Sequence, residues 1–251
     1  KNPDGHGGSL TALKSSGVLA ELMSRGIETI SYFQVDNPLV KIIDPVFIGV
    51  HVLHGSEVSS KGIPKTGPFE KIGIFVKYAD RRLGVVEYSD LPEGKATAIG
   101  SDGKLKYLMG SPAIHLFRCS FIEEITSGGS LNLPFHVARK KLKAWKGGTV
   151  SEIDGFKFEK FVFDSLPLAR KSIVFEMRRE EEFAPVKNLT GVDSVESSRK
   201  LMNNLCREWL GKKAIKIPSE VEAIEISPLV AVEADDLPVL QIPNEKKVYL
   251  G

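Results

Sequence analysis

The chain begins with a helical pattern that passes directly into a buried-strand pattern, and this order restricts the folds open to it. Residues 10–23 place most of their apolar side chains on one helical face, and Gly26 suits the end of that helix. Residues 27–35 are rich in β-branched and aromatic side chains, which indicates a buried strand. Such alternation is typical of an α/β fold, so we expect a mixed, largely parallel sheet flanked by helices.

The rest of the chain contains further strand and helix patterns. Strands are predicted at residues 47–53, 71–78, 84–88 and 173–178, and helices at residues 158–169 and 194–210. Residues 135–142 fit either a strand or a helix. Polar residues at 188–193 separate these patterns from the last helix and a strand-rich tail. We therefore expect one domain over residues 1–190 and a helix- and strand-rich C-terminal segment over residues 191–251.

Composition narrows the function classes. A chain of 251 residues with 42% apolar and 26% charged residues can bury a large core. A net charge of +2 argues against a dedicated nucleic-acid binder, which usually has a strongly basic face. No apolar run approaches the roughly 18 to 20 residues that cross a bilayer, so no membrane partner is expected. The lack of a signal-peptide pattern and the two distant cysteines, Cys119 and Cys206, predict a cytoplasmic protein with free thiols.

A glycine-rich sequence, Pro-Asp-Gly-His-Gly-Gly at residues 3–8, precedes the first helix. Its three glycines allow the backbone to approach a ligand closely, and a helix N-terminus favours negative charge. A tight turn followed by a capping serine is the structural alternative. The chain begins at Lys1 without methionine, and a ligand loop needs a strand before it, so we expect an upstream part of the protein that this sequence lacks.

Three charged residues occupy positions that suit ligand binding. Asp36 follows an apolar strand, and in open α/β sheets ligands gather at the carboxyl ends of strands. One carboxylate together with substrate phosphates can hold Mg²⁺. Glu87 can accept hydrogen bonds from two sugar hydroxyls, and Lys187 can stabilise a phosphate group. A turn residue, a solvated strand end and a surface lysine are the respective structural alternatives.

Two phenylalanines, Phe161 and Phe163, stand in the sequence Phe-Val-Phe-Asp at residues 161–164. Aromatic faces stack on sugar rings, although phenylalanines at this spacing more often belong to a core. A glycine backbone, a strand-end carboxylate, two aromatic side chains and a lysine together suit an enzyme that handles a nucleoside triphosphate and a sugar phosphate.

The order of these motifs resembles the UDP-sugar pyrophosphorylase family, closest to its UDP-N-acetylhexosamine branch. The resemblance runs from Pro3 to about Leu229 and is strongest at residues 86–89, 159–164, 182–188 and 225–229. It implies a Rossmann-like fold of the nucleotide-diphospho-sugar transferase type, of which this chain is the carboxy-terminal half. It also implies a Mg²⁺-dependent uridylyltransferase that makes UDP-sugar and pyrophosphate from UTP and a sugar 1-phosphate.

The resemblance assigns roles to particular residues. The backbone of Gly5 would face uracil, Asp36 would bind Mg²⁺, and Lys187 would hold phosphate. The sugar would be surrounded by Gly73, Glu87, Tyr88, Phe161 and Phe163.

Two positions depart from the acetylhexosamine branch, which has asparagines near the sugar where this chain has His6 and Ser111. The Gly-His-Gly sequence is similar to that of UDP-glucose pyrophosphorylases. The resemblance to the acetylhexosamine branch implies N-acetylglucosamine 1-phosphate as the sugar substrate, and these two departures leave glucose 1-phosphate as the alternative. The family's glycine-rich triphosphate loop belongs upstream of Lys1, so a non-catalytic UDP-sugar-binding module and a scaffold domain also stay open.

Overall fold

The computed structural model describes residues 5–129 and 131–251. Contacts between residues group the chain into two units. The first consists of Lys1–Tyr32 with Pro45–Glu176, and the second of Phe33–Asp44 with Met177–Gly251. The boundary thus precedes the division expected between residues 190 and 191, because residues 177–190 pack with residues 33–44.

The strands of the first unit form one sheet and a separate long hairpin. In chain order they are β1 (Thr29–Tyr32), β2 (Val58–Pro64), β3 (Gly73–Lys77), β4 (Leu83–Val86), β5 (Met109–Ser111), β6 (His115–Arg118), β7 (His136–Lys146), β8 (Thr149–Glu159) and β9 (Ser172–Glu176). The sheet has the order β1-β6-β2-β5-β3-β4, and β9 pairs with β2. β7 and β8 pair with each other as the hairpin.

Strand direction in this sheet corrects the expected largely parallel arrangement. Among the described strands of the sheet, β2 and β9 pair in parallel, whereas the other neighbours are antiparallel. β1 and β2 do run in the same direction, but β6 lies between them in the opposite direction. The short connection between β3 and β4 also requires antiparallel pairing. The alternation of helix and strand therefore predicted an α/β protein correctly without predicting which strands are neighbours.

Two of the predicted elements near the start of the chain differ from the observed ones. The helices of this unit are α1 (Gly8–Ser15), α2 (Val18–Ser24), α3 (Pro45–Leu53), α4 (Glu93–Ala96) and α5 (Cys119–Ile125). The helix predicted over residues 10–23 is divided at Gly17, whose φ of 80° lies in the left-handed region. The strand predicted at residues 47–53 is wrong, because this segment belongs to α3. A short apolar run of this kind is compatible with either a buried strand or a buried helix, so the sequence did not distinguish them.

The segment at residues 158–169 is not the predicted α-helix either. β8 continues to Glu159, and Val162–Leu168 forms a 3₁₀-helix that contains Pro167. Proline lacks the N–H group and restricts an α-helix at this point. The 3₁₀-helix packs apolar side chains into the core of the unit. Residues 135–142, which fitted a strand or a helix, contribute to β7.

The second unit combines a long helix with a small parallel sheet. Its elements are α6 (Arg179–Glu182), α7 (Val195–Lys212), β10 (Ala223–Ile226) and β11 (Lys247–Leu250), and β10 pairs with β11. The predicted helix over residues 194–210 is confirmed as α7, which begins after Ser194. Ser194 Oγ accepts a hydrogen bond from the N–H of Ser197 (3.2 Å) and so caps the helix. No helix within the described residues combines the length and apolar character that a bilayer-spanning segment needs.

A row of three side chains crosses the sheet of the first unit. Tyr32 in β1 and Ser60 in β2 are the backbone partners of His115 in β6. Ser60 Oγ lies 2.8 Å from His115 Nδ1, and the rings of Tyr32 and His115 are 5.9 Å apart. Complete burial lowers the pKa of His115 to about 3, with a smaller contribution from His6. The folded protein therefore holds His115 as a neutral imidazole.

We predict that acid destabilises the protein partly through His115. Below the usual histidine pKa of 6.5 the unfolded chain binds a proton here, whereas the folded chain does so only near pH 3. This difference lowers the free energy of unfolding by about 2 kcal/mol between roughly pH 6.5 and pH 5. Denaturant unfolding of the full-length protein at both pH values should show that His115→Phe removes this share of the pH dependence. An equal pH dependence in wild type and variant would contradict the prediction.

Candidate active site

The glycine loop before α1 lies directly against the backbone of Lys160. The N–H of Gly7 donates to the carbonyl oxygen of Lys160 (2.8 Å). A Cβ atom added to Gly7 would lie 2.8 Å from the carbonyl carbon of Lys160, and one added to Gly5 would collide with its carbonyl oxygen. Both positions therefore require glycine because two backbone segments approach closely. The Pro3-Asp4 portion of the predicted loop lies outside the described residues.

His6 is fixed in one orientation and one tautomer by its neighbours. Its ring stacks on Phe161 with centroids 5.1 Å apart, and its Nδ1 accepts a hydrogen bond from the N–H of Val162 (3.1 Å). Burial lowers the pKa of His6, against a smaller opposing effect of Glu159. A neutral imidazole whose Nδ1 accepts a hydrogen bond carries its proton on Nε2. His6 therefore has an Nε2–H group that can donate a hydrogen bond.

Further rings surround His6 and form an aromatic cluster. The centroids of Phe163 and Tyr32 are each 6.0 Å from that of His6, and the rings of Phe161 and Phe163 are 5.0 Å apart. His136 adds a ring 4.5 Å from Phe161. Phe163 is 5% exposed and belongs to the buried core, whereas Phe161 is only partly buried. The core accounts for Phe163, whereas part of the Phe161 side chain is open to solvent.

Neighbouring strands bring together three other predicted sugar residues. Gly73 in β3 is the backbone partner of Ser111 in β5. A Cβ atom added to Gly73 would lie 2.9 Å from Val85 Cγ1 and 3.5 Å from Glu87 Oε1. Ser111 is 8% exposed, and its buried hydroxyl has no hydrogen-bond partner among the described residues. Buried polar groups normally have partners, so this hydroxyl is suited to a ligand or a water molecule. Tyr88, which follows Glu87, is 46% exposed.

Asn37 joins two distant motifs in the second unit. Its Nδ2 donates to the carbonyl oxygen of Glu182 (2.7 Å), and its Oδ1 accepts from the N–H of Ala184 (2.9 Å). The carbonyl oxygen of Asp36 accepts from the N–H of Val186 (2.8 Å). Asn37 is 4% exposed, so these hydrogen bonds are shielded from water. They hold the segment of Asp36 beside the residues that lead to Lys187.

The side chains of Asp36 and Lys187 extend from these joined segments. Asp36 is partly exposed and Lys187 is exposed. The N–H of Lys187 donates to the carbonyl oxygen of Asp193 (2.7 Å), which closes the loop that follows. Mg²⁺ prefers oxygen ligands, and in many sites it is bound by one carboxylate together with oxygens of the substrate phosphates. A carboxylate on a fixed segment, such as that of Asp36, suits this role. Within the described residues, no three His, Cys, Asp or Glu side chains form a metal cluster.

The predicted site residues are distributed over both units. Asp36 and Lys187 belong to the second unit. The first unit contains Gly5, His6, Gly73, Glu87, Tyr88, Ser111, Phe161 and Phe163. Sequence analysis assigned no role to Asn37, His136 or Asp164, whose side chains make hydrogen bonds within these segments. The positions of Asn37, directly after Asp36, and of Asp164, at the end of the Phe-Val-Phe-Asp motif, could have indicated these two residues, whereas nothing in the sequence distinguishes His136.

Solved structures define the class of protein to which this fold belongs. The UDP-N-acetylglucosamine pyrophosphorylase of Trypanosoma brucei superimposes with a TM-score of 0.75 at 27% identity, covering 87% of this chain and 46% of that one. The fold is therefore that of the UDP-sugar pyrophosphorylases. The chain belongs to the UTP–glucose-1-phosphate uridylyltransferase family, whose pattern matches residues 1–225.

The names of curated relatives are consistent with this family assignment. UDP-N-acetylglucosamine diphosphorylase 1 of Arabidopsis thaliana is 37% identical over 245 residues, which is 94% of this chain and 48% of that protein. UDP-N-acetylhexosamine pyrophosphorylase-like protein 1 of Mus musculus is 40% identical over 74% of this chain and 37% of its own length. The chain thus spans about half the length of the first of these relatives and a smaller share of the second.

We predict that Asn37→Ala destabilises the second unit strongly. The substitution leaves the Glu182 carbonyl and the Ala184 N–H buried without their partner, which should lower the free energy of unfolding by about 3 kcal/mol. Asn204→Ala on the exposed side of α7 is the matched control and should change it by less than about 0.5 kcal/mol. Denaturant unfolding of the full-length variants measures both. Equal effects at the two positions would show that Asn37 does not join the segments.

Proposed function

We propose that the protein containing this chain is a uridylyltransferase that forms a UDP-sugar and pyrophosphate from UTP and a sugar 1-phosphate. The names of the relatives favour N-acetylglucosamine 1-phosphate as the sugar substrate. The observation that carries the proposal is the hydrogen bond between Asp36 and Val186. This backbone contact keeps the segment of Asp36 beside the segment that leads to Lys187, so the carboxylate and the ammonium group extend from adjoining segments, as a reaction between phosphate groups would require.

In the proposed reaction, a phosphate oxygen of the sugar 1-phosphate attacks the α-phosphorus of UTP in line and pyrophosphate leaves. No protein nucleophile takes part, so the protein contributes alignment and charge stabilisation. Asp36 would hold a magnesium ion, which when bound would offset charge on phosphate oxygens. Lys187 is exposed and can place its ammonium group on a phosphate oxygen. It would stabilise the charge that develops during transfer.

The first unit would bind the sugar and the base. The partly exposed side chain of Phe161 would contact the sugar, while Glu87 and the Ser111 hydroxyl would offer hydrogen bonds to sugar hydroxyls. His6 would donate through its Nε2–H group. A side chain at Gly73 would collide with Val85 next to Glu87, and the exposed ring of Tyr88 follows Glu87 in the chain. The backbone of Gly5 would face uracil.

The direct test is pyrophosphate release by the full-length protein supplied with UTP, magnesium and one sugar 1-phosphate at a time. Release with N-acetylglucosamine 1-phosphate or glucose 1-phosphate is expected, and the preferred sugar identifies the substrate. Calorimetry with the corresponding UDP-sugar completes the test. Binding of UDP-sugar without any pyrophosphate release would favour a non-catalytic binding module, and neither binding nor release would overturn the proposal.

We predict that Asp36→Asn and Lys187→Ala reduce turnover far more than stability. Both side chains are at least partly exposed, and the backbone hydrogen bond of Asp36 does not involve its carboxylate. Turnover should therefore fall by about a hundredfold or more, while the free energy of unfolding changes by less than about 1 kcal/mol. Steady-state kinetics and denaturant unfolding of the full-length variants measure the two effects. Parallel losses of activity and stability would indicate a structural role instead.

We predict that His6→Asn shifts the preference of the enzyme among sugar 1-phosphates. A neutral His6 can only donate at Nε2, whereas an asparagine amide can both donate and accept. The ratio of kcat/KM for N-acetylglucosamine 1-phosphate to that for glucose 1-phosphate should rise by about tenfold. The measurement compares both sugars in the same preparation, with KM for UTP as the internal control. An unchanged ratio would exclude His6 as a specificity residue.

A further inference from the structure

His136 lies between two segments that the proposed function assigns to the sugar. Its Nε2 donates a hydrogen bond to Asp164 Oδ2 at 2.8 Å. On the other side of the ring, its Nδ1 is 3.8 Å from Asp90 Oδ2, within the range of an ion pair. The side chains of His136 and Asp164 are 28% and 14% exposed. One imidazole therefore has a carboxylate facing each ring nitrogen, at a place only partly open to water.

Each of these carboxylates belongs to a segment that carries predicted sugar residues. The N–H of Asp90 donates to the carbonyl oxygen of Glu87 (3.0 Å), which closes the turn containing Glu87 and Tyr88. The N–H of Asp164 donates to the carbonyl oxygen of Phe161 (3.2 Å) at the start of the 3₁₀-helix. A side chain that reaches both carboxylates consequently connects the Glu87–Asp90 turn with the backbone that carries Phe161.

The ring of His136 also contacts Phe161 directly. Their centroids are 4.5 Å apart with an interplanar angle of 37°. Phe161 also contacts His6, whose ring centroid is 5.1 Å away. The orientation of its ring depends on both histidines, because aromatic pairs have preferred geometries and resist displacement.

Acid–base catalysis does not explain the arrangement. Transfer of a uridylyl group to a sugar phosphate needs no proton from the protein, since the attacking phosphate oxygen is already ionised. Burial raises the pKa of Asp164, and the hydrogen bond from His136 opposes that shift. The contact therefore stabilises the ionised carboxylate at a half-buried position, where a charge-assisted hydrogen bond contributes more than it does on the surface.

We propose that His136 is a positioning residue for the sugar 1-phosphate, holding the Glu87–Asp90 turn against the ring of Phe161. The inference rests on the proposed function, because it takes these segments as the sugar site. It predicts an effect confined to the sugar substrate. Removing His136 should loosen the sugar site while leaving the binding of UTP nearly intact.

Three variants of the full-length protein separate this role from general stability. His136→Phe keeps a ring beside Phe161 but removes both nitrogens, whereas His136→Gln keeps one donor for Asp164. Asp90→Asn removes a carboxylate that is 57% exposed, so it should not affect folding. His54→Gln changes an exposed histidine at the end of α3 and serves as the control.

His136→Phe should raise KM for the sugar 1-phosphate by about tenfold and KM for UTP by less than about twofold. His136→Gln should recover part of the loss, with about a threefold increase, and Asp90→Asn should give about a twofold increase. The control should match the wild type. Calorimetric affinity for the UDP-sugar should follow the same order without depending on turnover.

The outcomes distinguish this inference from the proposed function. Failure of the full-length protein to release pyrophosphate would overturn the proposed function, and calorimetry would still report on His136. An active protein whose sugar KM is unchanged in His136→Gln and Asp90→Asn would overturn the inference. Equal increases in both KM values would also overturn it, since they would indicate a general loss of structure.

Discussion

The close approach of the glycine loop to Lys160 is the contact on which the candidate sugar site depends. Side chains at Gly5 and Gly7 would collide with the Lys160 backbone, so only glycine brings the two segments together. That approach places the ring of His6 on Phe161 and its Nδ1 within reach of the Val162 N–H. Here glycine allows one segment of the protein to lie against another, and the candidate ligand-binding groups belong to the residues between and beside the glycines.

In the second unit, a polar side chain holds two distant segments together. Asn37 satisfies one carbonyl and one N–H of a segment that is far away in the sequence. A buried amide with both functions paired specifies a single geometry, because any other arrangement leaves a polar group without a partner. In both units, therefore, candidate residues are held in place by backbone contacts with segments that are distant in the sequence.

Local signals predicted some elements well and others poorly. α7 was predictable because Ser194 provides a capping side chain before an amphipathic pattern, and the β3–β4 pair because a turn separates two strand patterns. α3 was missed because its apolar side chains form a continuous run without a clear period. The reversed direction of β6 could not be predicted, since it depends on pairing between residues far apart in the sequence.

The residues of the candidate site also divide into those that local sequence signals could indicate and those that only the fold reveals. Asp36, Lys187 and the two phenylalanines stand in motifs that the sequence displays, whereas the partners of Asn37 and His136 are 145 and 28 residues away along the chain. Single residues of these types have no distinctive pattern. Their importance follows from burial and from the atoms that they contact, which only the fold determines.

The position of β6 has a consequence for the order in which the protein assembles. β1 joins the rest of the sheet through β6, so it cannot pair until the chain has been synthesised as far as Arg118. Until then the earlier strands expose unpaired edges, which are sites for aggregation. High contact order of this kind slows folding compared with helical proteins of similar size. We therefore expect newly synthesised chains to be most prone to aggregation, and most dependent on chaperones, before β6 is available for pairing.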